Sequence, residues 1–148
     1  MSREYPRVPI LAVSASLFHS NQLLMVQRAH PPAKGQWALP GGAVQLGETP
    51  EEALKREMME ECQLSIEIHR LNHVATRLFF DKAGRIQYHY IILNYLCTAG
   101  SVSVRSGSDA LACKWIDQSK VQELDLAEGI LETVNIALKS AGGSHETG

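Results

Sequence analysis

One segment near the middle of the chain carries an unusually well-marked helix start. Thr49 is suited to the N-cap, and Pro50 falls at the first helical position, where its missing N–H costs nothing. Glu52 completes a capping box with Thr49. These signals predict a helix from Pro50 to about Cys62. Because a helix of this length is marginal in isolation, the rest of the chain must supply a surface on which it packs.

Runs rich in apolar residues on both sides of this helix predict strands, and turn signals at Ser20-Asn21 and Asp81–Arg85 predict hairpins. The predicted strands are Ile10–Phe18, Leu23–Gln27, Trp37–Leu39, Ala43–Val44, Leu64–Ile68, His73–Phe80, Gln87–Cys97 and Ala112–Ile116. Gln87–Cys97 is apolar on both alternating faces, which is typical of a central strand that is covered on both sides.

A last helix is predicted from about Leu126 to Leu138, with Asp125 and Glu128 as capping residues. The order of strands, helix, strands and helix differs from the strict alternation of a parallel doubly wound fold. We therefore expect the α+β class, as a sandwich with a mixed sheet between helices.

The length of 148 residues predicts a single domain over 1–148. Its core is expected at about 8–138, preceded by an arm punctuated by proline. The glycine-containing tail, 141–148, is expected to be disordered.

Composition excludes several classes of protein. Net charge is −2, from 14 Lys and Arg against 16 Asp and Glu, so we expect no general nucleic-acid binding. No apolar run reaches about 18 residues and the first residues lack an apolar signal core, which predicts a cytoplasmic protein without a membrane partner. The three cysteines, Cys62, Cys97 and Cys113, fit neither a disulfide framework nor a zinc site, and we expect reduced thiols.

The predicted central helix has an acidic side. Glu57, Glu60 and Glu61 fall within an arc of about 100° on a 3.6-residue helix, beside an apolar stripe that should be buried. Glu57 and Glu61 are like charges one turn apart, and partial burial would raise the cost of that pairing. A divalent cation would remove the cost, and carboxylate oxygens are the ligands that Mg²⁺ prefers. The alternative is a solvated acidic helix face, which is common.

The flanks of this helix favour the metal site. Pro40-Gly41-Gly42 permits a close approach of the backbone to a ligand. Arg56 is the natural partner of Glu48, which lies just before the helix, and such a pair would tie the glycine loop to the helix. On spacing alone, Arg56 is equally well explained as a surface arginine.

The segment 42–64 resembles the Nudix box, G-x5-E-x7-R-E-U-x-E-E-x-G-U, where U is apolar. Every defined position matches except one, where Gln63 stands for the glycine of the family. The preceding Trp37–Gly42 is similar to the usual lead-in, and a weaker resemblance extends over about Val8 to Leu138. A glutamine that kept the left-handed conformation of that glycine would cost about 1 kcal/mol; alternatively, the helix end is rebuilt. Because this is not a ligand position, we expect reduced stability rather than lost chemistry.

The resemblance implies the Nudix α/β/α sandwich and hydrolysis, dependent on Mg²⁺ or Mn²⁺, of a nucleoside diphosphate linked to another group X. Carried over by position, Glu57, Glu60 and Glu61 are metal ligands, and the carbonyl of Gly41 is a further ligand. Arg56 would orient the catalytic helix through Glu48.

The general base is left open by the resemblance. In some members it is a glutamate of the box and in others an acid on a distant loop. Asp109, in the loop Ser106–Asp109, is our candidate for such a distant acid. Alternatively, Asp109 is an ordinary aspartate in a turn, without a catalytic role.

The residues that determine substrate specificity in this family lie outside the Nudix box. Segments 28–37 and 84–90 look like those of ADP-ribose pyrophosphatase-like members. Arg28, Lys34 and Arg85 are expected to meet phosphates. Trp37 or Tyr90 would stack on a base, although both are also well explained as core. His89 points to the face opposite Tyr88 and Tyr90, either under the helices or into the substrate cleft.

These features favour a small-molecule nucleotide substrate, ADP-ribose or another nucleotide sugar first. A nucleoside triphosphate pyrophosphatase is the alternative within the same class. A nucleotide-binding Nudix module without catalysis is a third, disfavoured by the intact glutamates and by the 10 residues after the last predicted helix, too few for the DNA-binding domain of Nudix-like regulators. Because many Nudix pyrophosphatases are dimers, a homodimer is also expected.

Overall fold

The computed structural model describes residues 3–107 and 110–147, with side chains over 3–107 and 110–140. Its strands are β1 (Ile10–His19), β2 (Gln22–Arg28), β3 (Trp37–Ala38), β4 (Gly41–Ala43), β5 (Ile66–Phe80), β6 (Ile86–Ala99) and β7 (Ala110–Asp117). Its helices are α1 (Pro50–Cys62) and α2 (Ile130–Thr147), and a short 3₁₀ helix covers Gln118–Glu123. Within those ranges, no helix is long and apolar enough to cross a membrane.

The sheet is mixed, as predicted. The body of β1 pairs antiparallel with β4 and parallel with β6, and β5 lies antiparallel on the other side of β6. The predicted first hairpin joins Phe18 to Leu23, and from there β2 pairs with both β3 and β7. The predicted central strand, β6, therefore lies inside the sheet between β1 and β5.

The two helices cover opposite faces of β2. Because side chains alternate along a strand, its successive apolar residues enter different clusters. Leu24 and Val26 pack in the cluster that includes α1, whereas Leu23 and Met25 pack in the cluster that includes α2. This arrangement confirms the sandwich of a sheet between helices.

The largest differences from the sequence prediction are in β5 and the last helix. The predicted strand Ala43–Val44 is also displaced to Gly41–Ala43, and the 3₁₀ helix was not predicted. The predicted strands Leu64–Ile68 and His73–Phe80 are one long strand, β5, in which irregularities between Ile68 and Arg70 and between Leu71 and His73 break the polar alternation. The last helix begins at Ile130 rather than Leu126, because residues 125–127 pair with Trp37 instead.

The tail was expected to be disordered over 141–148. Helix α2 as assigned extends to Thr147, but the side chains beyond Ser140 and the whole of Gly148 lie outside the described residues. The expectation therefore stays a prediction.

The prediction of three reduced thiols is wrong for two of them. Cys62, at the end of α1, is disulfide-bonded to Cys113 on β7, with the two Cα atoms 6.1 Å apart. Widely spaced cysteines gave no sequence signal for this pair, because β7 reaches α1 only through the tertiary fold. Cys97 is free and buried, and burial raises the pKa of its thiol to about 12. The cytoplasmic location stays a prediction.

We expect thiol titration of the unfolded, unreduced protein to find one reactive thiol per chain, that of Cys97, and three after reduction. The unreduced native protein should react slowly, because the Cys97 thiol is buried and its pKa is high. Three thiols in the unreduced, unfolded protein would contradict the disulfide.

Gln63 ends helix α1 in the left-handed conformation, with φ 53° and ψ 43°. Its N–H donates to the carbonyl of Met59, and the next N–H, of Leu64, donates to that of Met58 at 3.3 Å. The helix end is therefore not rebuilt around the missing glycine. A β-carbon is kept where glycine is favoured, at a cost of about 1 kcal/mol.

We therefore expect Gln63→Gly to raise the melting temperature by about 2–4 °C, which corresponds to about 1 kcal/mol in a chain of this size. The larger backbone entropy of glycine in the unfolded chain offsets part of the gain. Gln63→Ala keeps the β-carbon and serves as the matched control, without such a gain. Equal melting temperatures for wild type and Gln63→Gly would show that the left-handed residue carries no strain.

Candidate active site

Helix α1 is fixed at its N-terminus as the sequence predicts. The Thr49 hydroxyl accepts a hydrogen bond from the N–H of Glu52 at 3.2 Å, and the Glu52 carboxylate accepts one from the N–H of Thr49 at 3.0 Å. Along the helix, Ala53, Leu54 and Met58 are completely buried. The acidic residues of the helix are therefore attached to a rigid element.

Arg56 connects this helix to the loop before it. Its guanidinium donates two hydrogen bonds to the carboxylate of Glu48, at 2.7 and 2.9 Å, and one to the carbonyl of Ala43 at 3.0 Å. One nitrogen, Nη1, also reaches Glu57 at 2.8 Å and Glu60 at 3.2 Å. The contact predicted between Arg56 and Glu48 is present, and it does tie the glycine loop to the helix.

The glycine loop, Pro40–Gly42, which runs into β4, lies directly against the acidic side of α1. The N–H of Gly41 donates to the carboxylate of Glu61 at 2.8 Å. A β-carbon on Gly42 would collide with the carboxyl group of Glu57, and one on Gly41 would collide with the backbone of Val13 and Ser14. The close approach of the loop to the backbone of β1 therefore requires glycine at position 41, whereas a side chain at position 42 would displace the Glu57 carboxyl group.

Burial and ion pairing shift the pKa values of the two carboxyl groups, Glu57 and Glu48, in opposite directions. Burial raises the pKa of the Glu57 carboxyl, and the Arg56 guanidinium offsets part of that increase. At Glu48, the hydrogen bonds from Arg56 and from the N–H of Gln45 lower the pKa. The Arg56 guanidinium, held by Glu48 above all, has its pKa raised and stays charged. Glu57 therefore carries a charge that its surroundings disfavour.

A cavity of about 610 Å³ opens above the glycine loop, a volume typical of small-ligand sites. Gly41, Gly42, Glu57 and Glu61 line one wall. The rest of the lining comes from the N-terminal arm, the loop after β2, strands β5 and β6, and the start of α2. Its polar and aromatic members include Arg3, Glu4, Arg28, His30, Arg77, Phe79, Tyr88, Tyr90, Asn94, Glu128 and Thr133.

Three aromatic rings form a wall of this cavity. Tyr88 and Tyr90, two residues apart on β6, stack with ring centroids 6.4 Å apart and planes 12° apart. Phe79, on β5, meets Tyr88 edge to face at 6.1 Å. Tyr90 is therefore at the cavity and not simply core. The sequence signal was the alternation of Tyr88 and Tyr90 on one face of a strand, but the sequence did not show which face meets the cavity.

Among the expected substrate-binding residues, the structure brings Arg28 to the cavity. It is largely buried, which lowers the pKa of its guanidinium, and its hydrogen bonds go to the backbone carbonyls of Pro32 at 2.7 Å and His30 at 3.5 Å. Arg77 and Asn94 also line the cavity, and no sequence pattern had singled them out.

The structure does not bring Trp37, Lys34, Arg85 or His89 to this cavity. Trp37 packs against the hydrophobic cluster that includes α2. Arg85 is held at the exposed β5–β6 turn by the carboxylate of Asp81, at 2.9 Å. His89 lies between Tyr88 and Tyr90 in sequence, and because those two face the cavity, it faces away.

Two further expected site residues have different outcomes. Glu60 is half-exposed, reaches Arg56, and is not part of the cavity lining. Asp109 lies outside the described residues, so its role stays a prediction. The nearby Gly107 donates its N–H to the carbonyl of Glu61 at 2.7 Å, so this loop reaches the end of α1.

The donor set fits a divalent cation such as Mg²⁺. Glu57, Glu61 and Gly41 line the same wall of the cavity, and their carboxylate and carbonyl oxygens are of the kind that Mg²⁺ prefers. A cation there would also compensate the disfavoured charge of Glu57. In the part of the chain that the structure describes, no three acidic, histidine or cysteine side chains already converge on one point. Side-chain rearrangement or retained water would therefore complete the coordination.

Comparison with known proteins agrees with this geometry. A family model described as the NUDIX domain matches residues 8–134. The ADP-ribose pyrophosphatase of Methanocaldococcus jannaschii is 32% identical over 116 residues, which cover 78% of this chain and 66% of that protein. For a MutT-like protein of Streptomyces ambofaciens the match covers 59% of its length, so the chain spans less than two thirds of either relative.

Solved structures show the same fold. The crystal structure of a MutT NUDIX hydrolase from Burkholderia pseudomallei matches with a TM-score of 0.70 and 27% identity, over 90% of this chain and 98% of that one. The NUDIX domain of Shewanella oneidensis NrtR, crystallised with ADP ribose, matches with a TM-score of 0.74 and 23% identity, over 91% and 90%. With the matched family model and the glycine loop held against the acidic helix, these similarities establish that the chain belongs to the Nudix family.

Proposed function

We propose that this protein hydrolyses the diphosphate of a nucleoside diphosphate linked to another group, with ADP-ribose as the first candidate substrate. The main support is the position of Glu57 and Glu61 against Gly41, at a cavity whose other wall is aromatic. Carboxylates that hold a divalent cation suit phosphate chemistry, and an aromatic wall suits a base or sugar. The name of the archaeal relative points to the same substrate.

Each residue then has a defined task. Glu57, Glu61 and the carbonyl of Gly41 would hold Mg²⁺ or Mn²⁺, and Glu60 would join them after turning away from Arg56. The bound metal would orient the diphosphate and neutralise the charge that develops on it. Arg56 and Glu48 fix the helix relative to the glycine loop. Arg28 would donate hydrogen bonds to a phosphate oxygen.

The attacking water needs a group that accepts its proton. Glu57 or another acid of the box is one candidate. Asp109 is the other. Asp109→Asn distinguishes them, because it changes none of the proposed metal ligands. Loss of the acid limb of the pH profile of kcat would assign the base to Asp109, and an unchanged profile would assign it to the box.

A second candidate function is pyrophosphohydrolysis of nucleoside triphosphates. It is favoured by a relative named nucleoside triphosphatase NudI from Enterobacter, 31% identical over 64% of this chain and 70% of its own length. The same site would serve it, since the metal and the phosphates are shared and only the bond cleaved differs.

The experiment is a hydrolysis panel with ADP-ribose, other nucleotide sugars, dinucleotides and nucleoside triphosphates, with Mg²⁺ or Mn²⁺ and products separated by chromatography. AMP and ribose 5-phosphate, released faster from ADP-ribose than any product from triphosphates, would support the proposal. A nucleoside monophosphate and pyrophosphate from triphosphates would support the second function. Tight nucleotide binding without turnover would instead support the non-catalytic module.

We also propose that the protein forms a homodimer through strand β5. In the described part of the chain, β5 lies at an edge of the sheet and exposes Leu71, Val74, Leu78 and Phe80. An edge strand with exposed apolar side chains is suited to pairing with a second copy. Size-exclusion chromatography with light scattering should give a dimer that Val74→Lys converts to monomer; a monomeric wild type would refute this assembly.

A further inference from the structure

The arm before β1, residues 3–8, is fastened to the β5–β6 turn. The N–H of Tyr5 donates to the carbonyl of Gln87 at 2.7 Å, and its hydroxyl donates to the carboxylate of Asp81 at 2.8 Å. The guanidinium of Arg85 lies over the Tyr5 ring, 5.1 Å from its centroid. Gln87 also donates a side-chain hydrogen bond to Glu4 at 3.2 Å. The arm therefore has a defined path along the fold.

That path brings the first described residues of the arm over the cavity. Arg3 and Glu4 both line it. Arg28 and Glu57 line the same cavity, so Arg3 shares it with a second guanidinium and with the acidic side of α1. Arg7, four residues further along the same arm, is exposed and does not line the cavity.

Three guanidinium groups line this cavity, those of Arg3, Arg28 and Arg77. Arg77 donates hydrogen bonds to the backbone carbonyls of Thr76 and Gly129, which hold it against the start of α2. Arg3 and Arg28 repel each other, and the hydrogen bonds of Arg28 go to neutral carbonyl oxygens. An anion with two or more charges between them would relieve the repulsion and accept bidentate hydrogen bonds from both. A diphosphate has that charge and offers oxygens to both guanidinium groups.

We propose that the N-terminal arm supplies Arg3 as a substrate-binding residue, which together with Arg28 clamps the diphosphate, and that Tyr5 positions it. The proposal rests on the proposed function for the identity of the anion. A short segment outside the catalytic helix would therefore contribute part of the affinity for the substrate.

The test compares Arg3→Gln with Arg7→Gln, which removes the same charge from the same arm. KM and kcat for ADP-ribose are measured with Mg²⁺, and the Kd of ADP-ribose is measured by calorimetry in EDTA. Because a charged hydrogen bond to the diphosphate is lost, we expect Arg3→Gln to raise both KM and Kd about tenfold, with kcat changed less than twofold. Arg7→Gln should match the wild type, and Arg3→Lys should recover part of the affinity.

A second variant tests the anchor. Tyr5→Phe keeps the ring beside Arg85 and removes only the hydrogen bond to Asp81. We expect it to raise KM about threefold, without an effect when combined with Arg3→Gln, because it acts through Arg3.

Wild-type KM and Kd in Arg3→Gln, or equal losses in Arg3→Gln and Arg7→Gln, would overturn the clamp. So would a wild type that does not bind ADP-ribose in EDTA. A wild type that binds ADP-ribose but does not hydrolyse it would refute the proposed function alone, and the calorimetric comparison would then decide the clamp.

Discussion

Glu61→Gln is expected to lower kcat for ADP-ribose hydrolysis about 10³-fold or more while the protein stays folded. The amide keeps the volume of the side chain, and its carbonyl oxygen can still accept the hydrogen bond from the N–H of Gly41. What it loses is the negative charge that a divalent cation requires. Loss of several kcal/mol of transition-state stabilisation corresponds to that reduction in rate. Steady-state kinetics at saturating Mg²⁺, with thermal unfolding of the same samples, measures both effects.

The matched control is Glu52→Gln, on the same helix but at the capping box. Glutamine can take the place of glutamate in a capping box, so both activity and melting temperature should stay near wild type. If Glu61→Gln retained more than about a tenth of the wild-type kcat, Glu61 would not be an essential metal ligand.

The second large effect is expected from Arg56→Lys, a change that keeps the charge. Arg56 donates to Glu48, Glu57, Glu60 and the carbonyl of Ala43, and a single ammonium group cannot reproduce that fork. The glycine loop would lose its fastening to α1, and Glu57 would lose a partner that offsets its burial. We expect kcat to fall at least tenfold and the melting temperature to decrease by several degrees, because misplaced catalytic groups are costly.

Lys55→Arg is the control for this change, since Lys55 is the neighbouring exposed residue on the same helix. It should leave kcat and melting temperature unchanged. An Arg56→Lys variant with wild-type kcat would show that positive charge alone, rather than the two-pronged contact with Glu48, is what the site needs.

The features that could be predicted from the sequence are those with local causes. The capping box at Thr49 and the proline at the first helical position are contained in four consecutive residues, and α1 begins where they indicate. The contact of Arg56 with Glu48 is also local, because Glu48 lies eight residues earlier in the sequence, just before the helix. For the helix end, the family pattern left two alternatives open, and Gln63 adopts the left-handed one.

The remaining features depend on contacts between distant segments. Cys62 and Cys113 meet only because β7 packs beside the end of α1. Arg85 has the right chemistry for a phosphate, but Asp81 holds it at an exposed turn. Arg3 has no local signal at all, and it reaches the cavity because Tyr5 anchors the arm to a turn that lies about 80 residues later in the sequence.

The most direct test of the central claim follows ADP-ribose in a single sample of wild-type protein, first in EDTA, then after excess Mg²⁺, then after EDTA is added again. If Glu57, Glu61 and Gly41 hold a catalytic cation, AMP and ribose 5-phosphate should form only in the middle interval. Release of AMP at the same rate in all three intervals would contradict a metal-dependent site. The absence of AMP in every interval would contradict hydrolysis of this substrate.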